Sequence, residues 1–219
     1  MKKTFQAVRK GDVEAVKRIL EKNPDEIHAV AKQPPKKDDG QSLLQVALKT
    51  GNIAVAHLLL DHHADVHFME SEDCCNTWRA PVIHDAIRCA VMRSRWNAKN
   101  LDGDYVQYNT AADADEAFGV LKRMFELGAD VAAKDSFGNT GLERAILDAK
   151  QILPRFHHGE KIVLDDRLVT EELRFDLHRI FGLLFAYGAD TGWIDRNSGK
   201  TLWEWCEGQP VAEFLIKPL

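Results

Sequence analysis

The sequence has no long apolar run. Nothing in its 219 residues approaches the roughly 18 consecutive apolar residues that a membrane-spanning helix needs. The first residues, MKKTFQAVRKGDVEAV, alternate polar and apolar side chains, so they lack the continuous apolar centre of a secretory signal. We therefore expect neither a membrane anchor nor a membrane partner.

Cysteines are few, and positive charges are slightly outnumbered by negative ones. The four cysteines, Cys74, Cys75, Cys89 and Cys206, include one adjacent pair and follow no disulfide-framework spacing, which favours a reducing compartment. We expect a cytoplasmic protein. Because 29 Lys and Arg stand against 34 Asp and Glu, the net charge is −5, which disfavours nucleic-acid phosphates as the main partner.

The motifs of common enzyme classes are missing as well. The sequence contains no Gly-x-Ser-x-Gly elbow, no glycine-rich phosphate loop and no dinucleotide-binding fingerprint. The hydrophobic fraction of 45% is nevertheless enough for a sizeable core. We therefore expect a folded, non-catalytic protein without a cofactor.

One short turn recurs along the chain. Gly128-Ala129-Asp130 returns as Gly188-Ala189-Asp190, and the variants His63-Ala64-Asp65 and Asn23-Pro24-Asp25 also end apolar helical runs. Glycine at the first position readily adopts the left-handed conformation that ends a helix. Each turn is predicted to close a helix and release the chain into a loop.

A second motif precedes each helix pair. Gly-x-Ser/Thr occurs at 40–42, 138–140 and 199–201, and each hydroxyl residue is followed five positions later by a small residue. The stretch 79–86 fits the same frame, with Arg79 and Pro81 in the Gly and hydroxyl positions. A Ser or Thr hydroxyl caps a helix start by accepting a backbone N–H. Each unit is therefore helix, turn, helix and loop, and such units must stack to bury their apolar faces.

The two motifs together resemble the ankyrin repeat, with its Thr-Pro-Leu-His-x-Ala opening and period of about 33 residues. The openings here read SLLQVA, PVIHDA, TGLERA and TLWEWC, and residues 4–25 match 44–65 at a constant offset. The resemblance implies an all-α solenoid of stacked helix-turn-helix units forming a single domain, 1–219. The units are predicted at about 4–25, 40–65, 79–130, 138–190 and 199–219.

This register also predicts the structural roles of two individual residues. His84 takes the position at which the family places a structural histidine that bonds within the helix opening. Trp203 takes a buried apolar position in the last opening.

The middle repeats are enlarged. Successive openings lie 39 residues apart (40 to 79), then 59 (79 to 138) and 61 (138 to 199), and the additional residues fall inside the helix pairs. The returning helix of the third unit is predicted to begin at Asp113, and that of the fourth after Thr170. Loops at about 97–112 and 154–169 close the two enlarged pairs, and we expect these two helical hairpins to pack together as one protruding lobe.

The resemblance implies that a protein partner binds the loops between repeats and the adjoining helical face. Aromatic residues and Arg dominate binding energy at interfaces. An alternative role for them here is to cover the edges of their own repeats or to pin the inserted loop. The candidate partner-binding residues, in these loops and in the lobe, are Phe68, Glu70, Trp78, Arg79, Trp96, Tyr105, Tyr108, Phe137, Trp193 and Arg196.

We predict a monomeric protein-binding module, either a dedicated inhibitor of one partner, as immunity proteins are, or an adaptor. The alternative is a metal-dependent sensor or enzyme that uses loop 62–75, since imidazole and thiolate are the ligands that zinc prefers. Their spacing fits no standard zinc frame, so we predict no metal site. The residues in question are His62, His63, His67, Cys74 and Cys75.

Overall fold

A computed structural model describes residues 2–194 and 199–215. Most of these residues are helical, and two short β-hairpins interrupt the third and fourth helix pairs. No helix in this part of the chain is both long and apolar enough to cross a membrane. The α-helices are α1 (Lys3–Lys10), α2 (Val13–Lys22), α3 (Leu43–Lys49), α4 (Ile53–Asp61), α5 (Val82–Met92), α6 (Ala111–Glu126), α7 (Gly141–Ile152), α8 (Glu171–Ala186) and α9 (Leu202–Cys206).

Three 3-10 helices and four strands complete the fold of the residues that the structure describes. The 3-10 helices are Pro24–His28, Lys36–Asp38 and Pro210–Leu215. The first hairpin pairs β1 (Asn97–Lys99) with β2 (Tyr105–Gln107), and the second pairs β3 (Phe156–His157) with β4 (Ile162–Val163), both antiparallel.

The helix pairs stack in two rows. The first helices α1, α3, α5 and α7 contact one another in chain order, and the second helices α2, α4, α6 and α8 do the same. The core lies between the rows and between successive pairs, where Val46, Ile87, Leu121 and Ile146 are fully buried. This is the all-α solenoid that the repeat pattern predicts.

The helix starts follow from capping chemistry. Ser42 and Thr201 each accept the backbone N–H of the third helical residue, and that residue's side chain returns to the cap backbone. Thr170 caps α8 as expected. The predicted start of α6 at Asp113 is wrong by two residues. Thr110 is the cap, and Asp113 supplies the returning carboxylate, so α6 begins at Ala111.

The recurring turn has the backbone conformation that its sequence predicts. Gly128 and Gly188 have φ of 94° and 87°, and His63 occupies the equivalent left-handed position at 61°. After the two glycines, the N–H groups of Ala129 and Ala189 return to Met124 and Leu184 at 3.0 Å. Each turn therefore closes its helix before the chain enters the next loop.

The predicted role of Trp203 is wrong. Its side chain is 45% exposed, whereas Leu202 and Cys206 are fully buried. Residues four apart lie on one side of a helix, so Leu202 and Cys206 face the stack together and Trp203 is turned outward. The short second element of this last unit contains the 3-10 helix Pro210–Leu215.

His84 is buried and has a structural contact, but its partner differs from the prediction. Its Nε2 lies 2.9 Å from the carbonyl oxygen of Ala133, in the loop that leads to the next unit. His84 therefore ties its helix to the following loop and does not bond within its own helix opening.

The corrected register can be tested with two neighbouring substitutions. Leu202→Ala removes a fully buried side chain and is expected to lower the free energy of unfolding by about 2–5 kcal/mol. Trp203→Ala removes an exposed side chain and is expected to cost less than about 1 kcal/mol. Urea unfolding followed by far-ultraviolet circular dichroism measures both, and a larger loss for Trp203→Ala would contradict the register.

Candidate functional site

The two inserted loops pack against each other as one lobe, formed by residues 93–110 and 154–169. The amide side chain of Asn97 bonds both backbone groups of Leu168, donating to its carbonyl at 3.1 Å and accepting its N–H at 2.9 Å. Lys99 pairs with Asp165 at 3.1 Å, and the Tyr105 hydroxyl donates to the Asp165 carbonyl. The predicted packing of the two enlarged helical hairpins against each other is confirmed, since α5 contacts α7 and α8, and α6 contacts α8.

A buried ion pair anchors the lobe to the stack. The backbone N–H and the guanidinium of Arg95 together donate three hydrogen bonds of 2.9 Å to the carboxylate of Asp176, which is fully buried in α8. These bonds raise the pKa of Arg95. Arg179 approaches the same carboxylate at 3.1 Å. The contacts from Arg95 and Arg179 offset the cost of burying the Asp176 carboxylate. They also hold the lobe in one position on the stack.

The outer surface of the lobe is apolar at several points. Leu101, at the tip of the first hairpin, is fully exposed, and Val106 and Tyr108 of the same hairpin are exposed too. On the second hairpin, Ile162 and Val163 are exposed. Exposed apolar groups concentrated on one structure are typical of an interaction site.

Some of the predicted partner-binding residues in the lobe pack against other parts of the protein, and others are exposed to solvent. Trp96 is half-buried, stacks on Tyr108 with ring centroids 4.3 Å apart, and donates its indole N–H to the Met92 carbonyl at 3.1 Å. Tyr105 uses its hydroxyl to join the two hairpins. Tyr108 is 56% exposed, so it presents part of its ring to solvent while it rests on Trp96.

The predicted residues in the loops between repeats are also divided. Phe137 is 67% exposed, whereas Phe68 is half-buried against the core. Trp193 is half-buried and meets Trp205 edge-on at 5.6 Å. Arg196 lies outside the described residues.

Glu70 and Arg79 have mainly structural contacts. Glu70 is 3% exposed and accepts the side-chain N–H of Gln41 at 2.9 Å, so its carboxylate faces the interior of the stack. The backbone N–H of Arg79 donates to the Ser136 hydroxyl at 3.0 Å, and its guanidinium lies 3.5 Å from Glu72. Both residues join one loop to a neighbouring repeat.

Trp78 lies at the edge of a groove of about 500 Å³ between α3 and α5. Its indole N–H donates to Asp135 at 2.8 Å, and hydrogen bonds to that carboxylate lower the pKa of Asp135 although burial raises it. Lys49 and Arg144 lie 6.0 and 5.6 Å from the Trp78 ring centre, within range of a cation–π contact. Trp78 is therefore surrounded by these charged side chains. Met92 forms an apolar part of the groove lining.

A buried carboxylate also lines this groove. Asp85 accepts the Gln45 side-chain N–H at 2.9 Å through one oxygen, and its other oxygen has no hydrogen-bond partner among the described residues. Burial raises the pKa of Asp85 to about 6, although Lys49, 3.9 Å away, opposes the rise. Burial lowers the pKa of the neighbouring His84 to about 4.

Lys49 and Arg88 also line the groove, and neither is among the candidate residues predicted from the sequence. Their shared position in the repeat could have identified them from the sequence. Each stands two residues after the small residue that aligns its opening with the others, Ala47 or Ala86.

The side chains considered for a metal site do not come together. Cys74 Sγ lies 3.9 Å from the Asn76 carbonyl and Cys75 Sγ lies 3.7 Å from the Lys36 carbonyl. Across residues 2–194 and 199–215, no three His, Cys, Asp or Glu side chains are placed to hold a metal ion.

Comparison with protein families and curated proteins identifies one repeat. The ankyrin repeat family model matches residues 39–70, which contain α3, α4 and the loop after them. No curated protein matches this sequence.

The chain is also similar to solved structures at low identity. An ankyrin repeat domain from Acinetobacter baumannii is 20% identical, with 97% of this chain and 93% of that chain covered and a TM-score of 0.37. The human ASB11 ankyrin repeat domain is 14% identical, with both chains covered completely and a TM-score of 0.35. One chain in the structure of the Bd0816 predatory endopeptidase from Bdellovibrio bacteriovorus in complex with immunity protein Bd3460 is 16% identical, with 69% of this chain and 94% of that chain covered and a TM-score of 0.25.

The raised pKa of Asp85 predicts a gain in stability on neutralising it. Protonated Asp85 favours the folded state, so its contribution to stability is lost as pH rises through about 6. Asp85→Asn cannot ionise, and we expect it to raise the free energy of unfolding at pH 7.5 by about 1–3 kcal/mol. The gain should shrink as pH falls from 6 towards 4.

Urea unfolding at several pH values measures this difference. Asp102→Asn is the matched control, because it removes the same charge from an exposed position in the lobe. A loss of stability in Asp85→Asn at pH 7.5 would mean that the attraction between Asp85 and Lys49 outweighs the cost of burial.

Proposed function

We propose that this chain, whose residues 39–70 match the ankyrin repeat, is a non-catalytic module that binds a protein partner. Stacked repeats form an extended surface of helices and loops, and such surfaces bind other proteins. The lobe adds to this surface in the third and fourth repeats. The site therefore comprises the lobe, the loops between repeats and the face of the first helices.

The exposed apolar surface of the anchored lobe is the observation that carries this proposal. Leu101 and Tyr108 are exposed although the lobe is joined internally through Asn97 and held to the stack through Arg95. Packing of the lobe leaves these side chains in water. A partner would gain free energy by covering them, since each buried apolar Å² contributes about 25 cal/mol.

The lobe also favours one dedicated partner over many. Stacking of helix pairs does not require it, since the second unit packs with a short turn between α3 and α4. We propose a role like that of an inhibitor or immunity protein, carried out by a monomer in the cytoplasm. The four cysteines support this compartment because they are free thiols, and two of them are buried.

Affinity capture from the native host, with mass-spectrometric identification, tests this function. The wild-type chain is expected to retain one stoichiometric protein. Leu101→Ser is expected to reduce its recovery about tenfold, the effect of losing about 1.4 kcal/mol of binding free energy. The matched control is Leu127→Ser, which removes an exposed leucine at the end of α6, outside the lobe.

The outcomes separate the protein-binding function from its location. Equal recovery of the partner by wild type and Leu101→Ser would show that the lobe tip is not part of the interface. The absence of any specific protein in the wild-type capture would contradict the protein-binding function itself.

A further inference from the structure

Three cations occupy the same position in the first three repeats. Arg9, Lys49 and Arg88 each stand two residues after the small residue that aligns the openings, at positions 7, 47 and 86. They lie on α1, α3 and α5 or at their ends, and these helices contact one another in order. The fourth repeat has Leu147 at this position. We refer to the three residues as the cation row.

Each member of the cation row is held by an acid that is more deeply buried than the cation. The acid side chains are at most 4% exposed, whereas Arg9, Lys49 and Arg88 are 23%, 29% and 42% exposed. The negative charges therefore lie inside and the positive charges face solvent, on a chain whose net charge is −5. The contacts are Arg9 with Asp38, Lys49 with Glu70 (3.6 Å) and Asp85 (3.9 Å), and Arg88 with Asp148 (3.4 Å).

Arg88 and Lys49 retain hydrogen-bonding capacity towards the groove. Asp148 receives two bonds of 2.8 Å from Arg144 and one of 3.2 Å from Gln151, so Arg88, at 3.4 Å, is its most distant partner. The contacts of Lys49 with its acids exceed 3.5 Å, beyond normal hydrogen-bond length. Both cations line the groove beside Trp78, where a carboxylate could bind them while its carbon chain lies on the indole ring.

We propose that the cation row binds an extended acidic segment of the protein partner, with carboxylates set three residues apart. Packed helices lie about 8–10 Å apart, which sets the interval between successive cations. A polyproline II segment has three residues per turn and rises about 3.1 Å per residue, so every third side chain points the same way at about 9 Å intervals. The sequence Glu-x-x-Glu-x-x-Glu in this conformation matches the row in charge and spacing.

The proposal rests on the protein-binding function above and specifies the chemistry of the partner. Nucleic-acid phosphates share the negative charge, but the row has only three cations and the whole chain has a net charge of −5. Phosphate-backbone binding draws its affinity from many cations and their released counterions. An acidic peptide needs only the three local contacts.

Fluorescence anisotropy with a labelled peptide of sequence EPPEPPEPPE tests the row directly. Wild type is expected to bind this peptide at low salt, and to bind it less tightly at high salt because exposed charges are screened. Arg88→Gln is expected to weaken binding about tenfold. It leaves Asp148 bonded to Arg144, so folding should persist, and thermal unfolding verifies this. Lys17→Gln, on the exposed surface of α2, is the charge-matched control.

Two further probes determine which chemistry the row recognises. A peptide of the same composition with its glutamates grouped, PPPEEEEPPP, tests the spacing, and a ten-residue thymidine oligonucleotide tests phosphate. The proposal is overturned if wild type binds neither peptide, if it binds the grouped peptide equally well, if Arg88→Gln binds like wild type, or if only the oligonucleotide binds. A partner still captured by wild type would show that the protein-binding function stands without the cation row.

Discussion

The stacking of each helix pair on the next is the interaction on which the rest of this protein depends. A single pair leaves one apolar face uncovered, and residues such as Val46, Ile87 and Ile146 become buried only when neighbouring pairs meet. The recurring turns and openings are local means to this end. They make each pair end at the same point, so that first helices meet first helices and second helices meet second helices.

Polar contacts between repeats fix the register of this stack. Gln45 of the second unit donates to Asp85 of the third, and His84 is 2.9 Å from the Ala133 carbonyl in the loop leading to the fourth. A buried polar group without a partner costs free energy, so a slipped register would be penalised at each such contact. The buried acids have a second consequence for function. Asp85 and Glu70 lie beneath Lys49 and leave its charge at the surface.

The lobe shows how a repeat protein can add a distinct surface without disturbing its stack. The extra residues lengthen both helices of the third and fourth pairs and form a β-hairpin between the two helices of each pair, and α5 still contacts α7 as α3 contacts α5. Arg95 and Asp176 carry the connection between lobe and stack. The lobe thereby adds exposed apolar groups to the surface that the helices and loops of the repeats form. Stacking of the repeats does not require these groups.

The sequence by itself determined what depends on local chemistry. Glycine at positions 128 and 188 and the hydroxyls of Ser42, Thr170 and Thr201 were sufficient to predict where helices end and begin, because left-handed turns and N-caps need only neighbouring residues. The repeat pattern then gave the solenoid and the enlarged pairs.

Tertiary structure alone decided the contacts between distant segments. Strands of two or three residues are too short for a periodic signal, so the two hairpins could not be predicted. Trp203 faces outward and Glu70 inward because of the neighbouring elements that each one meets. The cations Lys49 and Arg88 were visible in the repeat register, but their orientation depends on acids about 20 to 60 residues away in sequence. Only folding brings those partners together.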